Sequence, residues 1–290
     1  MNKIIQLSEL PLTSDGRVYH LNLLPEELAE KVITVGDPGR VPMVSRYFDK
    51  IELIVQHREF VTHTGWVGKK RISVISAGIG TPNVDIVMNE LDALMNIDLK
   101  TRKINKLTKS LEIVRLGTAG GLCERLNLGD CAVSQYAIGM DGLLNFYCVP
   151  FSEEESALKD AFIQHFSPAI LPIVPYVAES DPELTQRFSK ITSLAGITIT
   201  CPGFFAPQGR ELRGKNFLGN VIDTLASFKY QHVPVVNFEM ETSAILGLGK
   251  YLGHRCTSLS LIVADRRRMN FSKDILGNMD KLIQEVLWAF

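Results

Sequence analysis

Short apolar runs that end in glycine recur along the chain, and helical patterns follow several of them. The run from Val32 to Val35 meets Gly36, and the next two residues, Asp37-Pro38, are typical of the start of a helix. The stretch from Glu112 to Leu116 has the pattern of a buried strand and runs into Gly117-Thr118-Ala119-Gly120-Gly121. Alternation of strands and helices of this kind predicts an α/β fold in which a sheet lies between layers of helices.

Hydrophobic periodicity predicts most of the remaining elements. Three consecutive β-branched runs predict antiparallel strands at 51–56, 60–67 and 71–76, with a break at Thr64-Gly65. Apolar residues three and four apart predict a helix at 81–95 that packs on the sheet. Further strands are expected at 131–138, 196–200 and 258–263, and further helices near 153–166, 182–193, 239–251 and 273–288. Because no linker, charge block or repeat divides the chain, residues 1–290 are predicted to form a single domain, with proline-rich 141–180 as its least regular stretch.

Composition and charge exclude several classes of protein. The chain is 46% hydrophobic and 22% charged, which is ordinary for a globular protein. Its 31 Lys and Arg residues nearly balance 32 Asp and Glu residues, so the overall charge favours neither nucleic acid nor an anionic membrane as a partner. The amino terminus has no apolar core of signal-peptide length, and no uninterrupted apolar run is long enough to span a bilayer. We therefore expect a cytoplasmic protein.

Neither the cysteines nor the histidines indicate a metal site. Five cysteines are scattered through the chain without a C-x-x-C pair, which argues against a disulfide framework or structural zinc and predicts reduced thiols, mostly in the core. His57 and His63 lack the H-E-x-x-H spacing of a zinc enzyme. Cys201 has no histidine near it in sequence to act as its base, so a core or pocket-lining thiol is favoured over a nucleophile.

Three glycine-rich turns are candidates for binding phosphate, at 36–40, 77–82 and 117–121. Backbone N–H groups in such turns present partial positive charge to an anion. The first and third turns also have an arginine at the edge, Arg40 and Arg115, and the guanidinium fork suits phosphate. By contrast, Gly209 to Lys215 has P-loop spacing, but Asn216 replaces the Mg²⁺-binding hydroxyl and no apolar strand precedes it, so nucleotide hydrolysis is disfavoured.

Two further clusters are candidates for contacts with a small molecule. Phe204, Gln208 and Arg210 bring together an aromatic face, an amide and a guanidinium, and the amide matches an imide edge that offers C=O and N–H side by side. The alternative is a surface loop with a solvated arginine. In the segment Asn237 to Thr242, Glu239 and Glu241 are two apart and cannot share a helix face, which predicts that one faces a pocket and the other supports the fold.

Five segments together resemble the nucleoside phosphorylase-I family, and most closely its uridine phosphorylases. They are Gly36-Asp37-Pro38-Gly39-Arg40-Val41, Gln56-His57-Arg58-Glu59-Phe60, Ala77-Gly78-Ile79-Gly80-Thr81-Pro82, Arg115-Leu116-Gly117-Thr118-Ala119-Gly120-Gly121 and Asn237-Phe238-Glu239-Met240-Glu241. Their order matches over roughly residues 18 to 286, which leaves 1–17 as an amino-terminal extension and 141–180 as a family-variable insertion. The resemblance implies a single-domain, three-layer αβα fold with a distorted central mixed sheet, and active sites shared between subunits of a homodimer or hexamer.

The resemblance also implies a role for each matching residue. Phosphate binding falls to Gly36, Arg40, Arg58, Arg115 and Thr118, ribose binding to His20, Met240 and Glu241, and base binding to Phe204, Gln208, Arg210 and Gly120. Arg58 and His20 are expected to reach the site of the adjacent subunit. Arg210, Gln208, Glu241 and Asp265 are the predicted catalytic residues.

Two departures from the family pattern concern the base and a cation. Asp265 stands where purine nucleoside phosphorylases carry the acid that protonates the purine, whereas uridine phosphorylases usually have Asn-Arg at Ala264-Asp265. Asn83 replaces a serine that helps some bacterial relatives to hold potassium near Glu59 and Ile79, so neither a metal nor another cofactor is expected.

The reaction predicted from this resemblance is phosphorolysis of uridine to uracil and ribose 1-phosphate. Phosphate is the co-substrate and attacks C1′ as the glycosidic bond breaks. Two alternatives stay open from the sequence: a purine nucleoside phosphorylase with Asp265 as the acid at N7, and a nucleoside-binding protein without turnover.

Overall fold

A computed structural model describes residues 4–166 and 171–290. One sheet dominates the part of the chain it covers, and short stretches of 3₁₀ helix occur in the connections. The strands are β1 (Lys31–Val35), β2 (Lys50–His57), β3 (Phe60–Val67), β4 (Lys70–Ser76), β5 (Ile97–Asp98), β6 (Lys103–Ile104), β7 (Glu112–Gly121), β8 (Cys131–Gly139), β9 (Tyr176–Glu179), β10 (Leu194–Thr200), β11 (Lys229–Tyr230), β12 (Val233–Glu239), β13 (Arg255–Asp265) and β14 (Asn270–Phe271). The helices are α1 (Arg40–Ser45), α2 (Thr81–Asn96), α3 (Glu153–His165), α4 (Pro182–Phe188), α5 (Val221–Ser227), α6 (Thr242–Leu252) and α7 (Ile275–Ala289).

The main sheet has twelve strands and is mixed. Its principal order is β11-β12-β10-β8-β13-β7-β1-β4-β3-β2, with β9 added beside β8 and β14 beside β13. The pairs β4–β1, β1–β7, β7–β13, β8–β10 and β10–β12 are parallel, whereas β2–β3, β3–β4 and β8–β13 are antiparallel. β12 also pairs with the end of β7, and β13 has an irregular register between Ile262 and Ala264. The distorted mixed sheet predicted from the sequence is therefore present.

Helices cover both faces of this sheet because successive strand residues point to opposite faces. In β1, Val32 packs in the cluster that contains the apolar faces of α2 and α6, whereas Ile33 packs with α1 and α7. The same alternation occurs in β7, where Ile113 and Val114 belong to opposite clusters. These two apolar layers confirm the predicted αβα architecture.

Several predicted boundaries need correction. Gly65 does not break β3, because its missing side chain admits the backbone of Lys50, whose oxygen would lie 2.3 Å from a Cβ at this position. The first helix begins at Arg40, with Gly39 rather than Asp37 at its N-cap, and the Asp37 carboxylate accepts a bond from the Gly39 N–H (2.8 Å) in the preceding turn. Two further helices differ in extent: the helix expected at 239–251 begins at Thr242, and the one expected at 182–193 gives way to 3₁₀ helix after Phe188.

The irregular segment 141–180 contains α3 and β9, and its residues 167–170, including Pro168, lie outside the described residues. All five cysteines are free, and Cys131, Cys201 and Cys256 are buried as expected. Cys123 is partly exposed and Cys148 is exposed. Within residues 4–166 and 171–290, no helix is both long and apolar enough to cross a bilayer.

Candidate active site

A cavity of about 580 Å³ collects most of the residues that the sequence singles out. Turns and strand ends after β1, β4, β7, β10, β12 and β13 form its walls. Ten predicted site residues line it: Gly36, Arg40, Arg115, Thr118, Gly120, Phe204, Gln208, Arg210, Met240 and Glu241. The fold thus joins segments that are far apart in sequence at one end of the sheet.

Strand pairing orders these residues across the cavity. Gly36 follows β1 and Thr118 lies on β7, and these two strands are parallel neighbours. The loop 204–210 follows β10, which is separated from them in the sheet. β12 pairs with both groups, since its residue Phe238 lies opposite Ile199 of β10 and Gly120 of β7. Met240 and Glu241, which follow β12, are therefore placed between the turns rich in glycine and the aromatic loop.

Arg115 is paired with two carboxylates inside the cavity wall. Its Nη2 lies 2.6 Å from Oε2 of Glu241 and 2.9 Å from Oε2 of Glu239. Burial opposes the charge of Arg115, but attraction by the two carboxylates outweighs it and raises the pKa of this guanidinium. Its Nη1 is buried and has no hydrogen-bond partner among the described residues. One arm of the guanidinium is therefore paired within the protein, and the other is a buried donor without a hydrogen-bond partner there.

Glu239 is held almost entirely by protein donors. Its carboxylate accepts bonds from the Thr200 hydroxyl (2.7 Å) and from the backbone N–H groups of Glu241 (2.8 Å) and Thr242 (2.9 Å). The last two lie at the start of α6, where a negative charge is favourable. Glu239 therefore supports the fold, but it also lines the cavity together with Glu241, so the expectation that only one of the two carboxylates faces a pocket was wrong.

Glu241 is also buried but makes fewer contacts. It accepts a bond from the Gly80 N–H (2.7 Å) in addition to its ion pair with Arg115. Burial raises the pKa of Glu241, Arg115 opposes this effect, and Glu239 adds to it. Its carboxylate is thus the cavity group best placed to accept bonds from the hydroxyls of a ligand.

Arg40 is a second cation, besides Arg115, that lines the cavity. Its Nη1 donates to the carbonyl of Leu116 (3.2 Å), which fixes the side chain against β7. Burial lowers the pKa of Arg40, and the charge of Arg115 lowers it further. Arginine nonetheless stays protonated at neutral pH. Two arginines close enough to repel each other line one cavity, an arrangement that an anion between them would stabilise.

Residues of the loop 204–210 contact one another through Arg210. Arg210 lies over the ring of Phe204, with 3.6 Å between its Cζ and the ring centroid. Its Nη1 also donates to Oε1 of Gln208 (2.6 Å) and to the carbonyl of Phe204 (2.5 Å). Gln208 is buried, while half of Phe204 is exposed. Arg210 thus contacts both of the other residues of this loop that are predicted to bind a base, in a loop where Phe204, Phe205 and Ala206 are exposed.

Arg266 packs against two residues of the cavity wall, Gly120 and Phe238, and the sequence assigned it no role. It is 8% exposed, its Nη1 has no partner within the described part of the chain, and its Cζ lies 5.4 Å from the ring centroid of Phe238. A Cβ on Gly120 would lie 2.9 Å from Cγ of Arg266, so this glycine makes room for the side chain. Burial and the charge of Arg266 both lower the pKa of Arg210. A buried arginine in the run Asp265-Arg266-Arg267-Arg268 was the available signal.

Asp265 does not line this cavity. Its carboxylate accepts bonds from the backbone N–H groups of Arg267 (3.1 Å) and Arg268 (2.9 Å), and it lies against a separate surface cavity beside Glu124. The placement expected from the purine nucleoside phosphorylase pattern therefore needs correction, because the side chain caps the turn after β13. Ala264 and Val263 are the residues of this strand end that line the cavity.

His20 and Arg58 also lie outside the cavity of their own chain. His20 is bonded through Nδ1 to Oε1 of Glu90 (2.7 Å), and Arg58 is exposed and donates to the hydroxyl of Tyr19 (3.3 Å). Their contribution to an adjacent subunit stays a prediction.

The cavity lining also includes residues to which the sequence assigns no individual binding role. Glu59, Ile79 and Asn83, the positions connected with potassium in some relatives, all line the cavity. Cys201 is buried behind it, and burial together with the charge of Glu239 raises the pKa of its thiol, as expected for a core cysteine rather than a nucleophile. Asp37, Pro38, Gly78, Gly117, Ala119, Phe238, Glu239 and Phe271 complete this part of the lining.

Comparison with known proteins places the chain in a family. The sequence pattern of the phosphorylase superfamily matches residues 30–289, so the chain belongs to that family. Uridine phosphorylase from Thermococcus kodakarensis is 28% identical over 269 residues, which cover 92% of this chain and 84% of that protein. Uridine phosphorylase from Escherichia coli is 27% identical over 259 residues, with 87% and 88% coverage.

Solved structures agree with the fold. A nucleoside phosphorylase from Trypanosoma brucei, described as showing uridine phosphorylase activity, superimposes with a TM-score of 0.87 at 28% identity and covers 97% of this chain and 98% of its own. Purine nucleoside phosphorylase from Toxoplasma gondii superimposes with a TM-score of 0.71 at 20% identity, covering 96% of each chain, and supports the fold alone. The mixed sheet and its helical layers are the nucleoside phosphorylase fold.

Proposed function

We propose that the protein catalyses phosphorolysis of uridine, giving uracil and ribose 1-phosphate. The observation that carries this proposal is the order of groups across one cavity. Two arginines and glycine turns lie at one end, Met240 and Glu241 follow the strand between, and the Phe204, Gln208 and Arg210 loop lies at the other end. Phosphate, ribose and a pyrimidine base fit these three regions in the order in which they are joined in the reaction.

At the first end, phosphate is the nucleophile. Arg40 and the unpaired Nη1 of Arg115 would bind its oxygens, with Thr118 and the backbone beside Gly36 completing the cradle. A phosphate oxygen attacks C1′ while the bond from C1′ to N1 of uracil breaks, and the configuration at C1′ is inverted. Holding both reactants in one site removes most of the entropic cost of bringing them together.

In the middle, Glu241 would accept bonds from the ribose hydroxyls, and Met240 would pack against the sugar. Positive charge grows on the sugar as the glycosidic bond breaks. The phosphate and the carboxylate of Glu241 are both negative and would stabilise that charge.

At the far end, the electrons of the breaking bond pass to uracil, which leaves as an anion. Arg210 and Gln208 would bind its polar edge, with Phe204 and Gly120 beside the ring. Arg266 adds a buried positive charge beside Gly120 and Phe238. These fixed cations stabilise the developing negative charge without rearrangement during the reaction.

The relatives support this choice of base, since the two named above are uridine phosphorylases. We further propose that the enzyme is a pentosyltransferase of pyrimidine salvage in the cytoplasm, a reducing setting that suits its five free cysteines. It would work as a homodimer, or as a hexamer built from dimers, in which His20 and Arg58 complete the neighbouring site. The exposed position of Arg58 on its own chain supports that arrangement.

The decisive experiment is an assay of purified protein with uridine, thymidine or inosine, each with and without phosphate. We expect uracil and ribose 1-phosphate from uridine only when phosphate is present. Release of hypoxanthine from inosine, without release of uracil from uridine, would show that the substrate is a purine nucleoside. Uracil release that is independent of phosphate would identify a hydrolase, and binding without turnover would identify a nucleoside-binding protein.

A further inference from the structure

A buried polar cluster connects the segment 141–180 with the cavity, and the chemistry proposed above makes no use of it. The carboxylate of Asp141 accepts bonds from the hydroxyls of Tyr176 (2.8 Å) and Ser243 (3.0 Å) and from the backbone N–H of Leu143 (2.9 Å). The hydroxyls of Tyr176 and Ser243 are themselves 2.8 Å apart. Both are fully buried, so their hydrogen bonds are not exchanged with water.

The same cluster continues to the cavity wall. The backbone N–H of Ser243 donates to Oγ1 of Thr200 (2.9 Å), and the Thr200 hydroxyl donates to Oε1 of Glu239 (2.7 Å). The other oxygen of Glu239 contacts Nη2 of Arg115 (2.9 Å). Hydrogen bonds, together with the backbone of Ser243, therefore connect Asp141 to the guanidinium of Arg115, a residue that lines the cavity.

A glycine on the neighbouring strand leaves room for the ring of Tyr176. Gly139 of β8 pairs with Tyr176 of β9, and a Cβ on Gly139 would lie only 2.2 Å from Cζ of that ring. Burial and the charge of Asp141 raise the pKa of Tyr176 well above its ordinary value, so its hydroxyl remains a proton donor.

We infer that Tyr176 and Asp141 are positioning residues for phosphate, because through Ser243 and Thr200 they fix Glu239 and thereby hold the guanidinium of Arg115 at the wall of the cavity. This inference rests on the proposed phosphorolysis. It gives the insertion 141–180 a role at the active site, although neither residue lines the cavity.

The test compares two tyrosine variants from the same segment. Tyr176→Phe keeps the ring over Gly139 and removes only the hydroxyl, so we expect KM for phosphate to rise about fivefold, the usual effect of losing one net hydrogen bond. Inhibition by uracil should change less than about twofold, since the base loop does not depend on the cluster. Tyr147→Phe is the matched control, because the Tyr147 hydroxyl donates to Asp85 and accepts from Asn89, away from Glu239.

A second pair of variants covers the case in which Tyr176→Phe fails to fold. Thr200→Val removes the hydroxyl that donates to Glu239 at nearly constant volume, and Thr200→Ser restores it. We expect the valine variant to behave like Tyr176→Phe and the serine variant to behave like the wild type. A wild-type KM for phosphate in both hydroxyl-deleted variants overturns the inference, and so does an equal weakening of uracil inhibition.

The outcome also separates this inference from the proposed function. If wild-type protein releases no uracil in a phosphate-dependent way, phosphorolysis fails. Calorimetric binding of inorganic phosphate to the same variants then decides whether the cluster positions Arg115. Weaker phosphate binding in Tyr176→Phe than in Tyr147→Phe supports it, and equal binding overturns it.

Discussion

Arg115 is the cavity residue whose removal should cost the most stability. Arg115→Met leaves the buried carboxylates of Glu239 and Glu241 without their cation, and breaking a buried ion pair in this way costs about 3–5 kcal/mol. An unfolding entropy of about 2.1 cal/mol/K per residue gives about 0.6 kcal/mol/K for 290 residues. The expected fall in Tm is therefore about 5–8 °C at pH 8.

The loss should depend on pH with a definite sign. Burial already raises the pKa of Glu241, and without the attraction of Arg115 that pKa rises further. An acid whose folded pKa exceeds its unfolded value binds more protons when folded, so stability falls as the pH rises between the two values. The difference in Tm between Arg115→Met and wild type should thus be smallest near pH 5 and largest near pH 8.

Thermal unfolding followed by circular dichroism from pH 5 to pH 8 measures this effect. Arg210→Met is the matched control, since Arg210 is partly exposed and contacts neutral partners rather than a carboxylate. Its Tm should stay close to that of the wild type at every pH. An unchanged Tm for Arg115→Met at pH 8, or a deficit that grows towards pH 5, would refute the reasoning.

Three further outcomes concern catalysis. Gly117→Ala should raise KM for phosphate, because its Cβ would lie 2.0 Å from Nη1 of Arg115, whereas Gly214→Ala, with open space around it, should leave KM unchanged. Arg210→Ala should lower kcat/KM for uridine about a hundredfold, the effect of removing one oxyanion donor worth about 3 kcal/mol, measured by uracil release. Asp265→Asn should keep kcat/KM for uridine within about twofold of the wild type, because an asparagine still caps the turn. A large loss of turnover in this variant would show that Asp265 takes part in catalysis.

The parts of the fold that the sequence predicts well are those governed by local pattern. The glycine-rich turn predicted at 117–121 is wrong, because β7 continues without a break to Gly121. By contrast, Gly36 marks the end of β1 as expected, and three- and four-residue periodicity places α2 within one residue of its observed end. These features depend on burial and backbone conformation over a few residues, which is the range in which sequence pattern is informative.

Long-range pairing explains what local pattern misses. Residues 233–239 were not predicted as a strand, and Pro234 interrupts their apolar run, yet β12 pairs on both sides. Likewise, the buried charge of Arg115 predicts an anionic partner, but the structure supplies Glu241, 126 residues away, before any ligand enters. The register irregularity after Ile262 alters which side chains of β13 reach the cavity, and alternation along a strand cannot foresee it.

The loop 204–210 differs from the opposite end of the cavity in how it is attached. Arg210 is tied to Phe204 and Gln208 within a few residues, whereas Arg40 and Arg115 are tied to strands of the central sheet and to the start of α6. A change in the length or composition of this loop would therefore alter the base end of the cavity while the arginines of the phosphate end keep their attachments. Base selectivity and phosphate binding can thus be varied separately in this fold, by substitutions in the loop or in the strand ends.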